Sequence, residues 1–276
     1  MVAIVGVVRF SVLSTARNPF ALAKDRSFED FARRVLDPRR LDQRLRLFQH
    51  VTLPSLDAQT DPDFAVLVLA PERLEAPWRQ RLGGLAERRP WLQISYHHEA
   101  DFRTTDADLL VLDLLTTESA FATFRLDDDD AVSIDYIARV RRYVTTPFNG
   151  HSVSLCKGWQ LDVGDGADLY GLKPVVRPNI AVGLAHISRK DRKPRTLFGV
   201  SDYHLRHHER VPTITDGKAD AFVALTHETN DTGAKREARV RDLDPLEAQQ
   251  QLTDAGFNLD LIGLAESVAR TRNEGR

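Results

Sequence analysis

The sequence predicts an α/β fold in which a mostly parallel central sheet with flanking helices is followed by a mixed C-terminal part. Three observations carry this. Short, near-continuous apolar runs rich in β-branched residues recur along the first half, as strands buried on both faces require. Amphipathic helical segments alternate with them, which is the pattern of βα units and a parallel sheet. From 147 to 200 the texture changes to short apolar runs broken by Gly, Pro and Asp. That change favours mixed or antiparallel pairing. The expected organisation is a single domain over 1–276, with halves 1–130 and 131–276.

The first strand is read at Val2 to Val8. A helix follows over 27–36, with Ser27 as N-cap and Glu29 and Asp30 in the first turn, where the helix dipole favours acids. Leu41, Leu45, Phe48 and Thr52 then recur at helical spacing, with Asp42, Arg44 and Arg46 facing away, and Pro54 is expected to kink or end that helix. Phe64 to Ala70 (FAVLVLA) reads as a buried strand, Trp78 to Glu87 as a helix and Leu92 to Tyr96 as a strand. Residues 106–115 (DADLLVLDLL) fit helix and strand equally by periodicity. Ala120 to Leu126 (AFATFRL) is strand-like, and Ser133 to Tyr143 is helical. IAVGLAHIS (180–188) and FVALT (222–226) read as strands, 188–195 (SRKDRKPR) as a basic loop, and 245–270 as helical.

Composition excludes several classes of protein. The 276 residues are 42% hydrophobic and 28% charged, which is globular rather than disordered. Lys and Arg number 38 against 40 Asp and Glu, a net charge of -2, where a dedicated nucleic-acid binder is usually clearly basic. With Cys156 as its single cysteine the chain has no intrachain disulfide, and the residue is read as a small core side chain. Arg9 interrupts the N-terminal apolar stretch, against a signal peptide. No apolar run approaches the roughly 18–20 residues that span a bilayer. A cytoplasmic protein is expected, with peripheral membrane contact through its arginines left open.

The charge is unevenly spread. Asp127 to Asp130 stand in a row directly after the AFATFRL strand. Ligands of open α/β sheets bind at the carboxyl ends of the strands. In an extended segment alternate side chains share a side, so Asp127 and Asp129 are expected to converge while Asp128 or Asp130 serves another point. A divalent cation offsets their repulsion, and hard oxygen ligands favour Mg²⁺ or Mn²⁺. Mg²⁺ takes only one or two protein carboxylates and fills its shell with water and phosphate, so the pattern also suggests a phosphorylated ligand. A plainer reading stands beside it: Asp130 as the N-cap of a helix beginning near Ala131.

A βαβ half ending in a strand with an Asp-x-Asp-Asp motif resembles a glycosyltransferase of the GT-A type, with its Rossmann-like sheet. More closely, the chain resembles the bacterial putative rhamnosyltransferase family. The pieces are Arg9-Phe10-Ser11, LPSLDAQTDPDFAVLVL (53–69), FRLDDDDAVS (124–133) and a late His-x-x-Asn at His227 to Asn230. The resemblance runs from about residue 4 to about residue 230 and implies a nucleotide-sugar donor, with rhamnose as its sugar, bound by the 1–130 half. A glycan or other hydroxyl acceptor would lie on the 131–276 side. It also implies metal ligands at Asp127, Asp129 and His227, with Asp128 beside the donor.

Other residues carry two readings each. Arg9 and Arg125 end strands on the ligand side, where a guanidinium meets a diphosphate bidentately or pairs with a neighbouring acid. Phe10 either stacks on a base or belongs to the core. Asp202 and His204 in GVSDYHLRHH are the candidates for the base that takes the acceptor's proton, although Asp202 also suits a helix cap. His207 and His208 are expected at the surface. Trp159 is a sugar platform or a packing residue. Two rivals to glycosyl transfer remain: a Mg²⁺-dependent phosphatase with an aspartate nucleophile, and a sugar-nucleotide-binding protein without catalysis.

Overall fold

The structure is a computed structural model that describes residues 2–13, 27–98, 104–116, 119–164, 167–191, 194–200, 204–227 and 242–274. Its first sheet has seven strands, β1 (Ile4–Arg9), β2 (Ala65–Pro71), β3 (Leu92–His97), β4 (Ala120–Asp127), β6 (Ser152–Leu155), β9 (Leu184–Arg189) and β10 (Thr213–Asp216), in the order β10-β6-β9-β4-β1-β2-β3. The strands β4, β1, β2 and β3 run parallel, while β9 lies antiparallel between β4 and β6. The expected mostly parallel sheet with a mixed C-terminal part is therefore present. Its central strands are apolar on both faces because both are covered. Ile4, Val8, Val66 and Val68 face one core, and Val5, Val7, Leu67 and Leu69 another. Val111 and Leu115 pack into the second of these cores. The ambiguous run at 106–115 lies within helix α5 (Thr104–Leu114) and just past its end.

The helices follow local signals closely. In α1 (Phe28–Val35) the Ser27 hydroxyl accepts the Asp30 N–H at 3.1 Å, the expected cap. Helix α2 (Pro38–Leu47) passes into a π-turn (Phe48–Thr52) and then α3 (Leu53–Asp57), so the helical path runs through Pro54 instead of ending there. Proline has no N–H for the carbonyl one turn back. That His50 carbonyl instead accepts the Asp260 N–H at 2.8 Å. Helix α4 (Ala76–Ala86) covers the β2–β3 side of the sheet. The stretch 180–188 is not one strand: Ala181–Gly183 form a 3₁₀ turn before β9 begins.

A second sheet has five strands in the order β12-β8-β7-β11-β5, from β5 (Ala131–Val132), β7 (Lys157–Val163), β8 (Tyr170–Val176), β11 (Phe222–Thr226) and β12 (Asp242–Leu243). After the short helix α7 (Leu197–Val200) come α8 (Pro245–Asp254) and α9 (Leu261–Glu274), whose Leu252, Leu261 and Leu264 pack against Leu161, Val223 and Leu225 of this sheet. Asp244 and Glu247 form a reciprocal capping box at the start of α8. Among the described residues no helix is long and apolar enough to cross a membrane.

Gly158 lets β7 and β11 approach. A Cβ there would fall on the Phe222 carbonyl oxygen and ring of the neighbouring strand. Backbone cannot yield as a flexible side chain can. Gly158→Ala is expected to cost about 1–3 kcal/mol, the usual range for overpacking, read as a shift in denaturant midpoint at unchanged slope.

Candidate active site at the aspartate run

The four aspartates bridge the two sheets. Asp127 ends β4, and Ala131 begins β5, the edge strand of the second sheet, which pairs antiparallel with β11. The helix expected near Ala131 is therefore absent; α6 (Tyr136–Arg141) starts later, with Asp135 at its N-cap. Asp130 is not that cap. Its carboxylate accepts the Leu225 N–H at 2.9 Å, supplying an acceptor where β5 has given way to the turn. Burial, followed by the neighbouring charges of Asp129 and Asp127, pushes the Asp130 carboxyl well above its ordinary range.

Asp127 is answered from its own sheet. Arg125 lies two residues earlier on the same strand face and donates to both carboxylate oxygens at 3.0–3.2 Å. Arg9, in register with Asp127 on the parallel neighbour β1, stands 3.7 Å away. Burial raises the Asp127 carboxyl, but Arg125 and Arg9 outweigh it and hold it below its usual value.

Asp128 and Asp129 are answered by a residue that the helical pattern placed on the outer face of its helix. Arg44 of α2 is buried: its Nε donates to Asp128 at 3.1 Å, its Nη2 contacts the other Asp128 oxygen, and its Nη1 reaches Asp129 at 2.8 Å. Arg40 and Arg44 follow one another by a helical turn and flank Leu41, Leu45 and Leu47, so the buried stripe of α2 is wider than its leucines alone. Because Asp128 is fully buried and held on both oxygens, it is not placed to meet a donor directly, as had been expected. The same Asp129 oxygen lies 2.7 Å from His227 Nε2, just past β11 and 98 residues on. Burial pushes the Asp129 carboxyl up, yet Arg44 and His227 hold it far below the carboxylate range.

Of the three expected metal ligands the structure thus joins two, Asp129 and His227. Among the described residues no group of three His, Cys, Asp or Glu side chains is placed to hold a metal; Asp127 is engaged by Arg125 and Arg9. A carboxylate and an imidazole side by side still suit Mn²⁺, and Mg²⁺ less well, when water and phosphate oxygens supply the remaining positions.

The other expected residues divide. Phe10 is fully buried, with its ring 6.2 Å from that of Phe48, so it is core and does not stack on a base. The left-handed Ser11 (φ 50°), whose hydroxyl accepts from Arg40 at 3.1 Å, turns the chain directly after it. Asp202 and the side chain of His204 lie outside the described residues, as does Asn230. His207 is not at the surface: it is fully buried and its Nε2 meets Ser152 Oγ at 2.7 Å, while His208 is exposed as expected. Trp159 is half-buried, and its indole N–H donates to Asp220 at 3.0 Å, a packing role. A cleft of about 490 Å³ between Ser133, Lys157 and Asp220 lies toward the other end of β11 and includes none of the four aspartates.

A family model described as putative rhamnosyl transferase matches residues 3–239. No curated protein matches the chain. Among solved structures, TarS 1-349 of S. aureus in complex with UDP-GlcNAc is 11% identical with a TM-score of 0.45, over 86% of this chain and 62% of that one. The mannosyltransferase PcManGT of Pyrobaculum calidifontis, in complex with GDP-Man and Mn²⁺, is 13% identical with a TM-score of 0.45, over 83% and 58%. HddC of Yersinia pseudotuberculosis is 11% identical with a TM-score of 0.35, over 91% and 97%. The chain spans about three-fifths of the TarS and PcManGT structures.

Proposed function

The chain belongs to the putative rhamnosyl transferase family, and from that membership we propose that it moves a sugar from a nucleotide-sugar donor to a hydroxyl acceptor, aided by Mn²⁺ or Mg²⁺. Rhamnose is the sugar that the family's description favours. The observation that carries the site is the meeting of Asp129 and His227 at 2.7 Å, beside the carboxyl ends of β4 and β11.

Each residue then has a task. Asp129 and His227 would hold the metal, which when bound supplies Lewis-acid neutralisation of the leaving diphosphate. Arg9 and Arg125, already clustered at the end of β1 and β4, would present donors to the diphosphate oxygens, with Asp127 fixing both guanidinium groups. The acceptor oxygen forms its bond to the anomeric carbon as the bond from that carbon to the diphosphate oxygen breaks. The diphosphate leaves with the electron pair. The acceptor's proton passes to a base, for which Asp202 and His204 are the candidates.

The test is thermal unfolding with a panel of nucleotide sugars, with and without Mn²⁺, followed by donor turnover. A ligand at a hundredfold its Kd stabilises by about 2.7 kcal/mol, so the right donor is expected to raise Tm by on the order of 5 °C or more. No shift with any nucleotide in either condition would remove the proposal. Binding without any donor turnover would favour the non-catalytic reading, and phosphate release from simple phosphoesters the phosphatase.

A further inference from the structure

Three aspartates and three arginines interlock at this edge. Asp127 pairs with Arg9 and Arg125, and Asp128 and Asp129 share Arg44. The arginine side chains are only 20%, 13% and 7% exposed, so bulk water screens these charges less than it would at an open surface. These six charges sum to zero; the fourth aspartate, Asp130, stands outside the interlocked set, on the Leu225 N–H. A lone divalent cation approaching them finds little net attraction. It also finds Arg44 Nη1 already 2.8 Å from the Asp129 oxygen that faces His227. A nucleoside diphosphate reverses that balance, since it brings about three negative charges and two or more oxygen ligands for the same cation. Arg9 and Arg125 are the groups that it would meet.

We infer that Arg44 is the positioning residue that makes the binding of the divalent cation and of the nucleoside diphosphate at this site depend on each other. The inference rests on the nucleotide-sugar reading above. Arg44 neutralises Asp128, withdraws it from metal binding and competes for Asp129, so the protein alone offers a cation too few free donors. Once the diphosphate is present, its oxygens supply the missing ligands and its charge offsets the repulsion from Arg44. Coupling of this kind is reciprocal and amounts to about 5- to 150-fold between two ligands of one protein.

The experiment measures Mn²⁺ binding to the full chain from the electron paramagnetic resonance signal of free Mn²⁺, alone and with uridine, thymidine or guanosine diphosphate. Wild type is expected to bind Mn²⁺ at least about tenfold more tightly with its preferred diphosphate, which gains the same factor from Mn²⁺. Arg44→Met alone strands the buried Asp128 charge, so the informative variant is Arg44→Met with Asp128→Asn, which removes both partners. It is expected to bind Mn²⁺ alone about tenfold more tightly than wild type and to lose most of the coupling, whereas Arg44→Lys, which keeps the charge, retains it. Equal wild-type affinity for Mn²⁺ with and without a diphosphate that does bind overturns the inference while leaving the proposed function standing. Full coupling in the double variant overturns the role of Arg44. If no diphosphate binds with or without Mn²⁺, the nucleotide-sugar reading falls and this inference with it. The wild-type comparison decides the coupling even where the variant does not fold.

Discussion

Asp129→Asn is expected to lower donor turnover by at least about a hundredfold while the protein stays folded. Asn keeps the shape of the side chain but removes the charge that serves Arg44 Nη1 and His227 Nε2 at once. Arg44 retains both oxygens of Asp128, so the substitution does not strand a buried cation. Removing one preorganised electrostatic group from an active site costs about 10²–10³ in rate, and loss of a charged metal ligand belongs at the upper end of that range. The measurement is release of nucleoside diphosphate from the donor with Mn²⁺ present, beside thermal unfolding of both proteins. Asp61→Asn, which disturbs an ion pair with Arg141 away from the aspartate run, is the control and is expected to keep its turnover. Turnover by Asp129→Asn equal to wild type would remove Asp129 from the site.

The parts of this fold that were legible in the sequence are those fixed by neighbours along the chain. Strands such as FAVLVLA announce themselves because both faces must be apolar, and Ser27 announces a helix because its hydroxyl serves an N–H three residues later. The aspartate run was visible as unbalanced charge after a strand, and His227 through the resemblance. Contacts that close over long separations were not legible. Arg44 was placed on the solvent side of its helix because a polar residue is assigned outward until its partner is known, and that partner lies 84 residues away. His207 was placed at the surface for the same reason, with Ser152 55 residues away. Asp130 looked like a helix cap because its acceptor was visible while its donor, the Leu225 N–H, was not. Pro54 reads as a kink or a stop because the Asp260 N–H that takes up the His50 carbonyl comes from the far end of the chain.

Acid is expected to destabilise the protein through His186, and the sign follows from where that imidazole sits. His186 is 2% exposed, with Nδ1 3.0 Å from the same buried Ser152 hydroxyl that meets His207. Burial, then the neighbouring charges of His207, Arg195 and His151, depresses its pKa to about 3. The unfolded chain takes up a proton near pH 6.5, and the folded chain refuses it until about pH 3, so stability is lost as pH falls through that window. The full gap corresponds to on the order of 5 kcal/mol, of which about 2 kcal/mol is expected between about pH 7.5 and about pH 5. Denaturant unfolding at those two values, for wild type and His186→Gln, isolates the contribution because groups common to both proteins cancel. A pH dependence as steep in His186→Gln as in wild type would show that the proton goes elsewhere. The same buried hydroxyl, through His207, ties the 3₁₀ turn His204–Glu209 to the sheet, so the refused proton protects a cluster that joins β6, β9 and this turn.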